Sequence, residues 1–300
     1  MDTNMTASAT MPAANAAAPV KKNSNFQAIV KRLFQNRGAV IGLIIFIVLA
    51  LAAIFAPVAA PYGYEEMDLT NMLSGPSLEH LFGTDELGRD VFSRIIYGRY
   101  SLSIGLAATA FGAVVGCAIG AITGYFGGTL DTVLMRFLDI LEAIPGLLLT
   151  ICVSAVLGSG FDKTILALAI TSIPQYVRLL RAQVFSVRDE EYLEAAESIS
   201  CSKFRIITRY VLPNSLSPVI VKATMSVAQT ILTAASLSYV GLGVQPPTPE
   251  WGAMLSAGRA YIRSYPHLIM FPGIFIMITV LGLNLFGDGL RDALDPKLKK

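Results

Sequence analysis

Arg136, Asp139 and Glu142 stand three residues apart in a stretch that is otherwise almost wholly apolar. On a helix, Arg136 and Asp139 share a face and pair, while Glu142 lies about two turns further on. A charge at membrane depth costs about 2.5–3.5 kcal/mol even on the mildest insertion scale, so each such residue needs a partner or water. Glu142 therefore has two readings: a member of an ion pair at the interface, or a side chain facing a water-filled pathway. Pro145 follows and frees a backbone carbonyl, which favours a kink there. Other chemistry is missing. The sequence has no Gly-x-x-x-x-Gly-Lys-Ser/Thr phosphate loop, so ATP hydrolysis is not expected of it, and it has no His-Glu-x-x-His. His80 and His267 lack ligand-like neighbours, and Gly158-Ser159-Gly160 reads as a tight turn. Cys117, Cys152 and Cys201 make an odd count with two members in apolar runs, which gives no disulfide framework.

The elements that must carry these residues are membrane helices. Hydrophobic residues make up 54% of the chain, charged residues 15%, and mean hydropathy is +0.59; a soluble domain has about 25% charged residues. A span needs about 20 apolar residues. Six stretches qualify: 39–58, 100–126, 132–157, 164–183, 218–242 and 267–290. Residues 1–25, rich in Ala, Pro, Thr and Met without an apolar core, are expected to be a disordered tail rather than a signal peptide. The formal net charge of +2 gives no reason to expect a nucleic-acid partner.

Basic residues fix the orientation. Lys21, Lys22, Lys31, Arg32 and Arg37 precede the first span. Arg178, Arg181, Arg188, Lys203, Arg205 and Arg209 lie at or beyond the end of the fourth and before the fifth. Arg291, Lys297, Lys299 and Lys300 follow the sixth. The opposite side holds Arg89, Arg94, Arg99, Lys163, Arg259 and Arg263. Both termini and the segment 190–213 are thus expected in the cytoplasm, as an even number of spans requires.

Gly112, Gly116, Gly120 and Gly124 recur every four residues in the second span. On a helix they form a stripe without side chains, against which a neighbouring helix packs backbone to backbone; the sequence does not say which neighbour. In the outer segment His80–Gly98, Thr84 or Asp85 is placed to cap an amphipathic helix, with Asp90 and Arg94 as a pair one turn apart.

Several motifs carry a family resemblance. The segment Glu194-Ala195-Ala196, closing at Leu212-Pro213, resembles the EAA loop of bacterial ABC-importer permeases. The outer segment Gly83-Thr-Asp-Glu-Leu-Gly-Arg-Asp90 resembles that of the C-type permeases of dipeptide and oligopeptide importers. So do Gly243-Val-Gln-Pro-Pro-Thr-Pro-Glu-Trp251-Gly252 and the closing set Asn284, Gly287, Asp288, Arg291, Asp292, Asp295 and Pro296. One departure stands out: the family's loop has Gly at the turn where this chain has Ser200. Gly takes positive φ at low cost and Ser does not.

The resemblance implies an all-α, polytopic membrane protein with six transmembrane helices and a type I ABC importer permease core. It implies an amphipathic lead-in, first transmembrane helix and outer loop over 26–98, a five-helix core over 99–290 with the coupling loop at 190–213, and a cytoplasmic tail over 291–300. Glu194, Ala195 and Ala196 would dock into an ATPase, the two alanines giving a flat face. Expected partners are a second homologous permease, two cytoplasmic ATPase subunits that bind ATP and magnesium, an extracytoplasmic binding protein and membrane lipid. This chain itself would hold no cofactor. Its expected place is the bacterial inner membrane, and its cargo dipeptides or oligopeptides, with glutathione or chelated nickel as alternatives. An ion-coupled secondary transporter is the competing class, but it usually shows an internal repeat, and the sequence has none.

Overall fold

The computed structural model describes residues 25–294; the expectations for residues 1–24 and 295–300 lie outside the described residues. The chain opens with α1 (Asn25–Gln35), α2 (Arg37–Ile54) and α3 (Ala56–Ala59). Asn36 separates the first two and caps α2, its side chain accepting from the Ala39 N–H at 3.2 Å. Exposed Ile41, Ile44, Val48 and Leu51 give α2 the apolar surface that lipid requires. On its other face, Gly42 meets Gly282, so the first span lies directly against the last.

After a loop come α4 (Val91–Ile96), α5 (Arg99–Phe126), α6 (Gly128–Glu142), α7 (Gly146–Leu157) and α8 (Phe161–Val187). The segment before the fifth expected span holds α9 (Glu191–Ser198), α10 (Lys203–Ile206), a π-helical turn Ile207–Val211 and α11 (Leu212–Ser215). The chain then runs through α12 (Ser217–Tyr239), α13 (Trp251–Gly258) and α14 (His267–Leu294).

Helices α2, α5, α12 and α14 are each long and apolar enough to cross a membrane. The expected third span is not one helix. α6 and α7 meet at 93°, so only as a bent pair do they count as a crossing. Pro145 sits at the break in an extended conformation, φ −52° and ψ 130°, so the sequence's kink is a full corner. α8 has the length for a span but is less apolar than the others. Six spans thus become four straight ones, a bent pair and one polar-ended helix.

The glycine stripe has its neighbour within the chain. Gly112, Gly116, Gly120 and Gly124 are all buried, and they face Ser172, Tyr176, Val177 and Val184 of α8. A Cβ on Gly120 would lie 2.7 Å from the Val177 carbonyl oxygen, a distance no side chain tolerates. Close approach of the two backbones is the packing device, as in other membrane helix pairs.

The end of the molecule built from residues 80–98 and 245–258 is tied by polar contacts. Helix α4 covers only Val91–Ile96, far less than the amphipathic helix expected, and its cap is Asp90 rather than Thr84 or Asp85. The Asp90 carboxylate accepts from the Ser93 N–H at 2.7 Å and lies 3.0 Å from His80 Nδ1. It does not pair with Arg94, which donates to the carbonyls of Tyr64 and Pro247 and lies 3.7 Å from Asp85. Buried Glu250 caps α13, accepting from the Gly252 and Ala253 N–H groups. Trp251, 2% exposed, donates its indole N–H to the Ile95 carbonyl at 3.1 Å, joining α13 to α4.

Candidate functional site

Two surfaces gather the residues singled out by sequence. The first is segment 190–213. Leu193 and Ala196 face inward and pack with Leu180, Val184, Ile206 and Val211. Tyr125 of α5 donates its hydroxyl to Glu197 at 2.9 Å, tying α9 to the end of that helix. Ala196 is only 5% exposed, so the expected flat face of two alanines is not formed: the helical period turns Ala196 into the core and leaves Glu194 and Ala195 outside. The outward surface is completed by Ile199, 74% exposed, and Phe204, 78% exposed. Sequence reasoning passed over both, though two large apolar side chains in an otherwise polar loop are a legible sign of contact. Leu212 is half-buried and Pro213 is exposed at the start of α11.

Ser200 resolves the question raised by the missing glycine. It adopts φ +58°, the left-handed conformation that glycine would supply. The Ser200 N–H donates to the Glu197 carbonyl at 2.8 Å and the Cys201 N–H to the Ala196 carbonyl at 3.1 Å. These two bonds close the end of α9 as a Schellman motif, so the turn is kept and Ser200 bears the strain.

The charged triad is organised by a residue outside it. Arg136 reaches Asp139 only at 3.8 Å, on an open surface. Arg178 of α8 instead donates to Asp139 at 2.6 Å and forms an ion pair with Glu142 at 2.8 Å. One turn on, Arg181 grips both oxygens of Asp131, at 2.5 and 2.6 Å. The triad is therefore an ion-paired clasp between α6 and α8, and Glu142 is one of its acids. Leu130, Val133, Phe137 and Ile140 occupy the exposed side of α6, making it amphipathic.

The second surface is a groove of about 530 Å³ between α7, α8, α12 and α14. Six of its seven hydroxyls are satisfied locally: Thr150, Thr171, Ser172, Thr230, Thr233 and Ser236 each donate to a carbonyl one turn back on their own helix. Gln175, Gln229, Asn284 and Lys222 also line it. Beside it, sharing Leu147, Leu232, Ser236 and Asn284, runs an apolar groove of about 740 Å³ bordered by Met277 and Leu281. Among the described residues, no three His, Cys, Asp or Glu side chains converge as metal ligands would.

Comparison with known proteins gives this arrangement a context. Residues 116–300 match the family described as binding-protein-dependent transport system inner membrane component. Residues 24–76 match the N-terminal TM domain of oligopeptide transport permease C. The chain is 46% identical over 277 residues to the dipeptide transport system permease protein DppC of Alkalihalophilus pseudofirmus, covering 92% of this chain and 91% of that one. It is also 46% identical over 271 residues to the glutathione transport system permease protein GsiD of Escherichia coli, covering 90% and 89%. A chain of the MetNI methionine ABC transporter, solved in inward-facing conformations, superposes with a TM-score of 0.54 at 18% identity. That match covers 67% of this chain and 95% of the other, and it speaks for the fold.

Proposed function

The chain belongs to the binding-protein-dependent transport inner-membrane components, and from that premise we propose that it forms half of the pathway of an ATP-driven importer of small peptides. The observation that carries the substrate class is the equal likeness, at 46% identity, to a dipeptide permease and a glutathione permease over nine-tenths of the chain. Both cargoes are short and carry an ammonium, at least one carboxylate and at least one amide, and a polar groove among membrane helices suits them. The adjoining apolar groove supports a second, homologous permease closing the same face. One of two cytoplasmic ATPases would dock on segment 190–213 and the other on the second permease, and an extracytoplasmic binding protein would deliver cargo to the outer end. ATP closes the ATPases, α9 moves with them, and the helices switch the groove between the two sides. That switch requires ATP and loaded binding protein to favour different states. The distribution of basic residues supports an orientation with both termini in the cytoplasm.

The test is reconstitution with the cognate permease, ATPases and binding protein in proteoliposomes. Labelled dialanine should accumulate only with ATP, and excess glutathione should show whether both cargoes share the route. Uptake that persisted without the ATPases and collapsed with a protonophore would replace this reading with ion-coupled transport. For orientation, single cysteines at Gly75 and Thr208, in a background lacking Cys117, Cys152 and Cys201, should react with an impermeant maleimide from opposite sides.

A further inference from the structure

Lys222 is the cation of the polar groove. It lies on α12, five residues after the helix begins, and lines the cavity with Gln175, Ser226 and Gln229. Among the described residues, no carboxylate comes within 4.0 Å of it; every ion pair belongs to another cation. The nearby arginines behave differently, since Arg178 and Arg181 are both committed to the acids of α6. The groove's amides are likewise unspent. The side chains of Gln175, Gln229 and Asn284 make no hydrogen bond to another described residue, whereas the hydroxyls around them are turned back on their own helices. The cavity therefore presents one ammonium and three carboxamides with their hydrogen-bonding capacity free. A lysine that only snorkelled would carry its charge to the interface beside lipid; this one lines a protein cavity.

We infer that Lys222 is a specificity-determining residue of the groove and receives the carboxylate of the passing substrate, while Gln175, Gln229 and Asn284 hydrogen-bond its peptide amides. The inference rests on the importer reading above. An ammonium pairs with a carboxylate without fixed geometry, and carboxamides both donate to and accept from a peptide bond. Such a surface holds a short peptide weakly and at several points, which permits entry and release.

The complete complex in proteoliposomes tests this with a charge series at one position: Lys222→Arg, Lys222→Gln and Lys222→Glu, with dialanine as probe. ATPase activity stimulated by binding protein monitors assembly and coupling in each variant. The expected order of dialanine uptake is wild type and Lys222→Arg together, then Lys222→Gln lower by about tenfold, then Lys222→Glu lowest, with stimulated ATPase activity retained. Where Lys222→Gln disturbs assembly, Lys222→Met, similar in length and uncharged, takes its place with the same expectation. Equal uptake across the series would overturn the role of Lys222 and leave the importer reading intact. An order that disappeared in neutral phosphatidylcholine liposomes would assign the lysine to anionic lipid and also overturn it. If the wild-type complex took up neither dialanine nor glutathione in response to ATP, the importer reading would fail and this inference with it.

Discussion

Arg181 holds Asp131 through two parallel hydrogen bonds, from Nε at 2.5 Å and from Nη2 at 2.6 Å, and so fixes the start of α6 to α8 across fifty residues of chain. Bidentate guanidinium–carboxylate pairs are among the stronger polar contacts available to a protein. Asp131→Asn keeps the shape and removes the charge. It should cost about 1.5–3 kcal/mol, the worth of a hydrogen bond to a charged group, seen as a lower Tm of the purified complex in detergent. A variant as stable as the wild type would mean that α6 is held by its apolar side alone.

Ser200 at φ +58° predicts opposite outcomes for two substitutions. Ser200→Gly relieves the left-handed strain and should leave the protein as stable or up to about 1 kcal/mol more so. Ser200→Val sets a β-branched side chain where it is least tolerated and should destabilise the end of α9. Hydrogen exchange of the Cys201 amide, which the turn protects, reads both effects locally. Equal exchange in the two variants would show that the turn does not depend on this residue.

Gly120→Leu should separate α5 from α8, because even the first added carbon meets the Val177 carbonyl oxygen. Overpacking of this kind costs about 1–3 kcal/mol or more, and the expected readout is a sharp loss of assembled complex. Gly75→Ala, where a Cβ meets nothing within 4 Å, is the control and should be silent. Normal assembly of Gly120→Leu would contradict the backbone contact.

Ala195 and Ala196 are neighbours with different surroundings, so the same substitution should fail in two ways. Ala195→Arg lies on the outer surface; the chain should insert and assemble its own fold yet lose ATPase stimulation by loaded binding protein. Ala196→Arg forces a guanidinium into the cluster of Leu180, Val184 and Val211 and should prevent assembly. If Ala195→Arg transported normally, segment 190–213 would not be the coupling surface.

Legibility in the sequence followed how local each cause was. The glycine stripe was readable because a spacing of four puts all its members on one helix face, and only the identity of α8 was hidden. The corner at Pro145 was readable as a kink, but its 93° was not, and α6 is ion-paired to α8 through Arg178 and Arg181, residues distant in the chain. For the same reason the Arg136–Asp139 pair read from spacing is present but long, at 3.8 Å, and the closer partner of Asp139 is Arg178 at 2.6 Å. The groove was unreadable. Its amides and hydroxyls are scattered over α7, α8, α12 and α14, and within each helix they look like ordinary polar interruptions of an apolar run. Ala196 shows the finest limit: the motif marked the helix, while one residue of helical phase decided which alanine faced out.

The chain contains a single tryptophan, and it is the one that joins α13 to α4. Intrinsic fluorescence of this subunit excited at the indole band therefore comes from one point, at the end of the molecule opposite α9. Its emission answers to the hydrogen bond with the Ile95 carbonyl and to the neighbouring Phe275 ring, 6.3 Å away between centroids. A rearrangement that parts these helices would change the colour or intensity of that light, whereas motion confined to α9 and its surroundings would leave it unaltered. In a complex whose other subunits had their tryptophans replaced, the protein would signal from one side of the membrane without any attached dye.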